Sequence, residues 1–419
     1  MEFNGLTGGI PMRRLILTFT FAAIASLVMS ACSTSSTTGL LRGKDSSHAL
    51  IELLRQAESG DSQAQFNVGL IHCNGWGVEK DYAKAARWFR KAAENGNEEA
   101  QFNLGVMYYK GLGVNRDHNE AARWFLASAA SGYVKAQSNI AFMYYKGIGI
   151  PQDYAEAEKW YRKAASKGDV ESQKRLGNIY YHGKGFRQDF KEAAAWFQKA
   201  ANQGDVTAQT NLADMYYRGL GVEKDYQEAV TWYKVAAMQG NAHAQTSLGT
   251  IYLNGEGVPQ DFTEAAYWFR MAAEQGNSQA QGFLGYFYEQ GLGLPQDHAE
   301  AARWYRLAAD QGDAVIQFNL GLMYAKGLGV QQSYEEAARW YQKSAEQGYD
   351  KALYNLGILY SKGLGVPKDF TQAYLCFQLA AEQGIQHAAV YLDVMANEMS
   401  QSQITQAKEM AKTLREAAQ

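Results

Sequence analysis

Cysteine is scarce, three residues in a chain of 419, and neither a CxxC pair nor the Cys/His spacing of a zinc site occurs. A structural zinc module is therefore excluded. Cys73 and Cys376 fall in the first and last units of a long repeat, many layers apart and beyond the roughly 7 Å between Cα atoms that a bridge allows. The expectation is two free thiols acting as small core residues. Charge of one sign is also missing, with 40 Lys and Arg against 43 Asp and Glu, a net charge of −3 and a pI near 6.2. No basic field concentrates nucleic acid around such a chain. SxxK, GxSxG and HExxH are absent and the seven histidines are scattered, which argues against an enzyme. No cofactor, metal or small-molecule substrate is expected.

What is present is a 36-residue period. Nine units run without insertion from Asp61–Gly96 to Tyr349–Gly384. Self-similarity of this kind marks a solenoid, in which each unit rests on its neighbours. Aromatic residues make up 13% of the chain and recur in fixed columns, so the units are folded. One elongated body replaces the two or three domains that length alone would suggest.

In the unit Asp205–Gly240, Ala208, Leu212, Met215 and Tyr216 recur at helical spacing before Gly219 and Gly221. A second helix opens at Asp225 and carries Ala229, Trp232, Tyr233, Ala236 and Ala237. Each unit is thus a helical hairpin. Eight of nine tryptophans share one column, from Trp88 to Trp340, with Cys376 in that place in the last unit. The paired glycines, such as Gly111 and Gly113, are turn residues, since nine copies lack the ending of a phosphate loop. Pairs such as Asp117/Glu120 and Asp153/Glu156 read as reciprocal capping boxes rather than catalytic acids. Single hairpins cannot bury enough surface to stand alone, so the stack needs caps. His48 to Gly60 reads as the first cap. Gln386 to Asn397, followed by a helix opened by Ser400 and Gln403, reads as the last.

Upstream of the repeat, Met12-Arg13-Arg14 precedes an uncharged apolar run, Leu15 to Met29, and then Ser30-Ala31-Cys32. This pattern is an export signal, and the run is shorter than the roughly 20 residues of a spanning helix. A retained anchor is the weaker reading. Ser30-Ala31-Cys32 resembles the lipobox of bacterial lipoproteins, with Met29 where that family usually has Leu. The resemblance implies lipidation at Cys32. Ser33 after the cysteine implies the outer membrane, and the Ser/Thr-rich stretch that follows would serve as a tether. The expected division is 1–31 export signal with Met12 as the true start, 32–45 tether, 46–60 capping helix, 61–384 repeats and 385–419 capping helices.

The string Ala-Gln-x-Asn-Leu-Gly-x-x-Tyr-x-x-Gly-x-Gly-Val at Ala100–Val114, followed by Asp117, Ala121, Trp124, Phe125, Ala129 and Gly132, resembles the Sel1-like repeat, a relative of the tetratricopeptide repeat. The resemblance implies an all-α solenoid, a right-handed superhelix of helix pairs that binds a protein or peptide through the concave face lined by its first helices. In that mapping Tyr109, Tyr145, Tyr181 and Tyr217 form a ladder, which is either a binding surface or packing between layers. Beside it, Lys110, Lys146, His182 and Arg218 form a basic edge. By resemblance Lys135 and Arg175 join them as candidates, because tetratricopeptide clamps hold a peptide carboxylate near this position; Asn103 and Asn139 read as backbone-satisfying, and Lys174 with Arg175 breaks a repeated pattern of Phe, Thr or Ser followed by Asn. Phe66, Phe102, Phe318 and Tyr354, with Leu70, Val106, Leu322 and Ile358, read as apolar groove columns. Lys174, Asn178, Thr210, Asp214, Thr246 and Thr250 give that groove a polar centre. A lipid-anchored envelope scaffold is the leading reading. A cell-wall glycan binder, or an envelope enzyme acting on peptidoglycan or β-lactams, is the alternative.

Overall fold

The computed structural model describes residues 46–418. The export segment, Cys32 and the tether lie outside the described residues. Among those described, the fold is all-α, an α-solenoid with twenty-one helices and no strand. Two compact units divide at Lys224/Asp225, in the loop of the fifth repeat. The first holds α1 (Ser46–Glu58), α2 (Ser62–Asn74), α3 (Tyr82–Glu94), α4 (Glu98–Lys110), α5 (His118–Ala130), α6 (Val134–Lys146), α7 (Tyr154–Ser166), α8 (Val170–His182), α9 (Phe190–Asn202) and α10 (Val206–Arg218). The second holds α11 (Tyr226–Met238), α12 (Ala242–Asn254), α13 (Phe262–Glu274), α14 (Ser278–Gln290), α15 (His298–Asp310), α16 (Ala314–Lys326), α17 (Tyr334–Glu346), α18 (Asp350–Lys362), α19 (Phe370–Glu382), α20 (Gln386–Glu398) and α21 (Gln401–Ala418). Within each unit, consecutive helices pack in chain order as far as α20.

Local chemistry sets each hairpin. Asn97 caps α4 by accepting from the Ala100 N–H at 2.8 Å, and Gly111 ends it in the left-handed region with φ 73°. Two residues on, Gly113 has φ 67°, and a Cβ there would lie 2.3 Å from the Tyr82 carbonyl. Only glycine lets this loop seat on the start of the preceding repeat's second helix. The mid-helix glycines have a different cause. A Cβ on Gly105 would lie 2.8 Å from the Phe125 ring, and one on Gly249 would lie 2.6 Å from Phe269. The helices therefore approach closely enough to bury a whole ring, and each such ring contributes about 1.5–3 kcal/mol.

The second helices begin differently from the reciprocal capping boxes expected. The first half is present, since Asp117 accepts from the Asn119 and Glu120 N–H groups. The return bond is absent: the Asp117 N–H donates instead to the Tyr108 carbonyl at 3.0 Å, and Asp153, Asp189, Asp297 and Ser333 repeat this. A carbonyl at the end of the first helix already satisfies the donor, so the glutamates turn outward to Arg123 at 3.1 Å, Lys159 at 2.8 Å and Arg339 at 2.7 Å. Ser400 and Gln403, which open α21, do form both bonds.

Neighbouring repeats are tied by a buried glutamine absent from the sequence reading. Gln245 donates to the Ala237 carbonyl at 3.0 Å while its Oε1 accepts from Gln275 at 2.7 Å. Gln281 with Gln311, and Gln317 with Gln347, repeat the arrangement at 2.8 Å. The donor is missing twice, and Leu353 replaces the glutamine itself in the ninth unit. Ser131 and Lys167 stand where the donor amide would be, and the buried Oε1 atoms of Gln101 and Gln137 lack a hydrogen-bond partner. The caps use the same grammar. Gln65 donates to the Ala57 carbonyl of α1 at 3.0 Å, and α21 packs on α19 with Ile404, Ala407 and Ala411 buried.

One thiol expectation is corrected. Cys376 is free and buried, and burial first, then Asp369, pushes its thiol up to about 12. Cys73 is disulfide-bonded, with its partner outside the described residues.

Candidate functional site

The ladder tyrosines sit next to last in their helices and are half-buried. Three of them pack against the aromatic that starts the second helix of their own hairpin. The Tyr109 ring lies 4.9 Å from His118, Tyr145 lies 5.4 Å from Tyr154, and Tyr181 lies 5.3 Å from Phe190, the last two edge-on. Tyr217 is half-buried in the same position of α10. One side of each ring thus holds the hairpin closed and the other reaches the surface. His182 ends α8 with its ring 5.1 Å from Tyr181. Partial burial, and then the charge of Lys184, hold its imidazole below the ordinary value. Arg218 is exposed at the end of α10.

Lys174 and Arg175 are brought together by one carboxylate. Glu171 accepts from the Arg175 Nε at 2.7 Å through Oε1 and pairs with the Lys174 Nζ at 2.8 Å through Oε2. Lys174 also reaches Asp205 of the next repeat at 2.9 Å. Burial opposes the ammonium charge, but Glu171 and Asp205 outweigh it and hold Lys174 above its usual value. Arg175 lies over the Phe142 ring at 5.9 Å. Its unused guanidinium nitrogens can still meet a ligand carboxylate. Lys135 is exposed near the start of α6, where its charge partly offsets the burial that raises Glu99.

The asparagines serve their own helices, Asn103 donating to the Glu99 carbonyl at 2.8 Å and Asn139 to that of Lys135 at 2.7 Å. Thr210 and Thr246 do likewise at 2.8 Å, and both are buried. The columns read as an apolar groove are largely core. Phe66, Phe102, Leu70 and Val106 are no more than 3% exposed. Phe102 packs against Phe125 at 5.6 Å and against Tyr133 of the next repeat at 5.2 Å. Helical spacing placed these residues on the correct face, but the next repeat covers it. Among the described residues, no group of three or more His, Cys, Asp or Glu could hold a metal ion, and no helix is long and apolar enough to cross a membrane.

A family model described as the Sel1 repeat matches residues 62–97, 98–133, 134–169, 170–205, 206–241, 242–277, 278–313, 315–349 and 350–385. Two solved structures are similar at 34% identity. One is c5321, a protective antigen present in uropathogenic Escherichia coli strains displaying an SLR fold, with a TM-score of 0.60 over 88% of this chain and 87% of that one. The other is a Sel1 repeat protein from Oxalobacter formigenes, with a TM-score of 0.61 over 74% of this chain and 90% of that one. No curated protein matches the sequence.

Proposed function

The chain belongs to the Sel1 repeat family, and we propose that it is a lipid-anchored scaffold of a bacterial envelope that holds a protein or peptide partner on its first-helix columns. Sel1-repeat solenoids are generally non-enzymatic scaffolds for protein–protein interaction. The observation that carries the binding reading is the pairing of half-buried tyrosines with cations at the ends of first helices, Tyr109 with Lys110 on α4, Tyr145 with Lys146 on α6 and Tyr217 with Arg218 on α10. Such positions offer broad contact area with little side-chain entropy to lose, beside a charge that selects the partner.

The envelope reading rests on the sequence Met12 to Cys32. Lipidation at Cys32 would consume its thiol and so excludes a bridge from that residue to Cys73; because Cys376 is free, the mature lipoprotein would carry Cys73 as a thiol. Intact mass of the mature chain reads the lipid directly, and Cys32→Ala is expected to move the protein from membranes to the soluble fraction. Unchanged membrane retention would place the anchor elsewhere. For the binding reading, Arg175→Ala combined with Arg218→Ala is expected to weaken the captured partner. Retention on purified peptidoglycan, unaffected by that pair, would favour a glycan ligand.

A further inference from the structure

The loop joining α8 to α9, residues 183–189, differs from its eight counterparts. Lys184 stands where six of them have Leu or Ile, and Phe186 stands where all eight have Val, Ile or Leu. Arg187 and Lys191 occupy columns with no other cation. The aliphatic residues hold the same turn in the other repeats, so the fold does not require this exchange.

A cleft of about 510 Å³ opens at this loop, lined by Tyr180, Phe186, Arg187, Gln188, Asp189 and Phe190. Tyr180 anchors its aromatic wall. Tyr180 and Phe186 lie 6.2 Å apart, and the Tyr180 hydroxyl donates to Glu158 at 2.8 Å while accepting from Arg162 at 2.8 Å. Two of its polar groups are already engaged: Gln188 donates to the Tyr181 carbonyl at 2.7 Å and Asp189 caps α9. Lys184, Arg187 and Lys191 are exposed, and none of them forms an ion pair among the described residues. The excess charge is local. The preceding loop, Gly147 to Gln152, carries none, and in the following one Glu223 cancels Lys224. A membrane surface needs a broad basic plane, whereas a single basic loop around an aromatic cleft fits a point contact.

We propose that this cleft takes one aromatic side chain of an acidic peptide segment, whose flanking carboxylates meet Arg187, Lys184 and Lys191. The inference rests on the reading of the chain as a protein-binding scaffold and names the chemistry of the partner.

The test uses the full chain and a labelled, acetylated and amidated probe peptide, Glu-Asp-Glu-Phe-Asp-Glu-Asp, followed by fluorescence anisotropy at low salt. The variant Lys184→Leu, Phe186→Val, Arg187→Pro installs the residues of the ninth unit, Leu364, Val366 and Pro367, and so keeps a turn the fold already uses. It is expected to weaken the probe about tenfold or more, as is Phe→Ala in the probe, the scale of losing one anchor residue. Equal binding by the loop variant or by the Ala probe overturns the proposal. So does loop-dependent binding to vesicles of anionic phospholipid without binding of the probe. If Arg175→Ala with Arg218→Ala lowers partner capture while the loop variant does not, the cleft is discarded and the scaffold reading stands.

Discussion

Glu171 holds Arg175 one helical turn away, with the guanidinium Nε 2.7 Å from the carboxylate Oε1. The same carboxylate takes Lys174 on its other oxygen, at 2.8 Å. The two cations singled out by the break in the repeat are therefore already partly neutralised. An acidic ligand must compete with Glu171, and the outcome depends on which carboxylate the guanidinium prefers.

Glu171→Gln should therefore strengthen capture of an acidic partner, since it releases Arg175 and leaves Lys174 only Asp205. Arg175→Ala with Arg218→Ala should weaken it by roughly 2 kcal/mol, the usual scale of an interface hot spot. The unfolding midpoint should move little, because Arg218 is exposed and Glu171 keeps Lys174 as its partner when Arg175 is removed. Unchanged affinity in the double variant, with normal melting, would move the binding surface away from these columns.

Ser131→Gln should raise stability. The Gln101 Oε1 is buried without a partner, and a glutamine at position 131 stands where Gln311 reaches Gln281 at 2.8 Å. Restoring one buried hydrogen bond is worth about 0.5–1.5 kcal/mol. Denaturant titration measures it. The gain should vanish in a Gln101→Leu background, and a gain that persists there would come from helix propensity instead.

Gly249→Val should destabilise the chain by about 1–3 kcal/mol, the cost of overpacking a filled core. The Phe269 ring already occupies the space, 2.6 Å from where a Cβ would lie. Ala141 and Ala213 occupy the same column, so Gly249→Ala should cost much less. A valine variant as stable as the alanine one would mean that the ring moves aside freely.

Stability should decline as pH falls from about 7 towards 5. Burial first, then Lys84 and Lys184 respectively, lower the pKa of His72 and His182. The unfolded chain therefore takes up these protons first, near the ordinary histidine value of about 6.5. The stability tied to the neutral rings is complete above that pH and is lost as pH falls through the lowered folded-state values. Together, His72→Tyr and His182→Asn, residues found in the same columns, should flatten this limb in urea midpoints. An unchanged slope would assign it to carboxylates.

The sequence by itself determined the hairpin, its period, its glycine turns and the aspartate and asparagine caps, because each depends on residues a few positions apart in one helix or loop. Periodicity also placed every column on a face. What covers that face was decided 30 to 36 residues away, by the next repeat. Phe102 looked like groove lining until Tyr133 lay over it at 5.2 Å, and Tyr109, Tyr145 and Tyr181 became half-buried braces only on meeting the first aromatic of the partner helix. The expected return bond from Glu120 was pre-empted by the Tyr108 carbonyl, and Gln245 found Gln275 across the repeat boundary. A buried donor or acceptor takes whichever partner the packing brings within about 3 Å, and a one-dimensional pattern does not contain that distance.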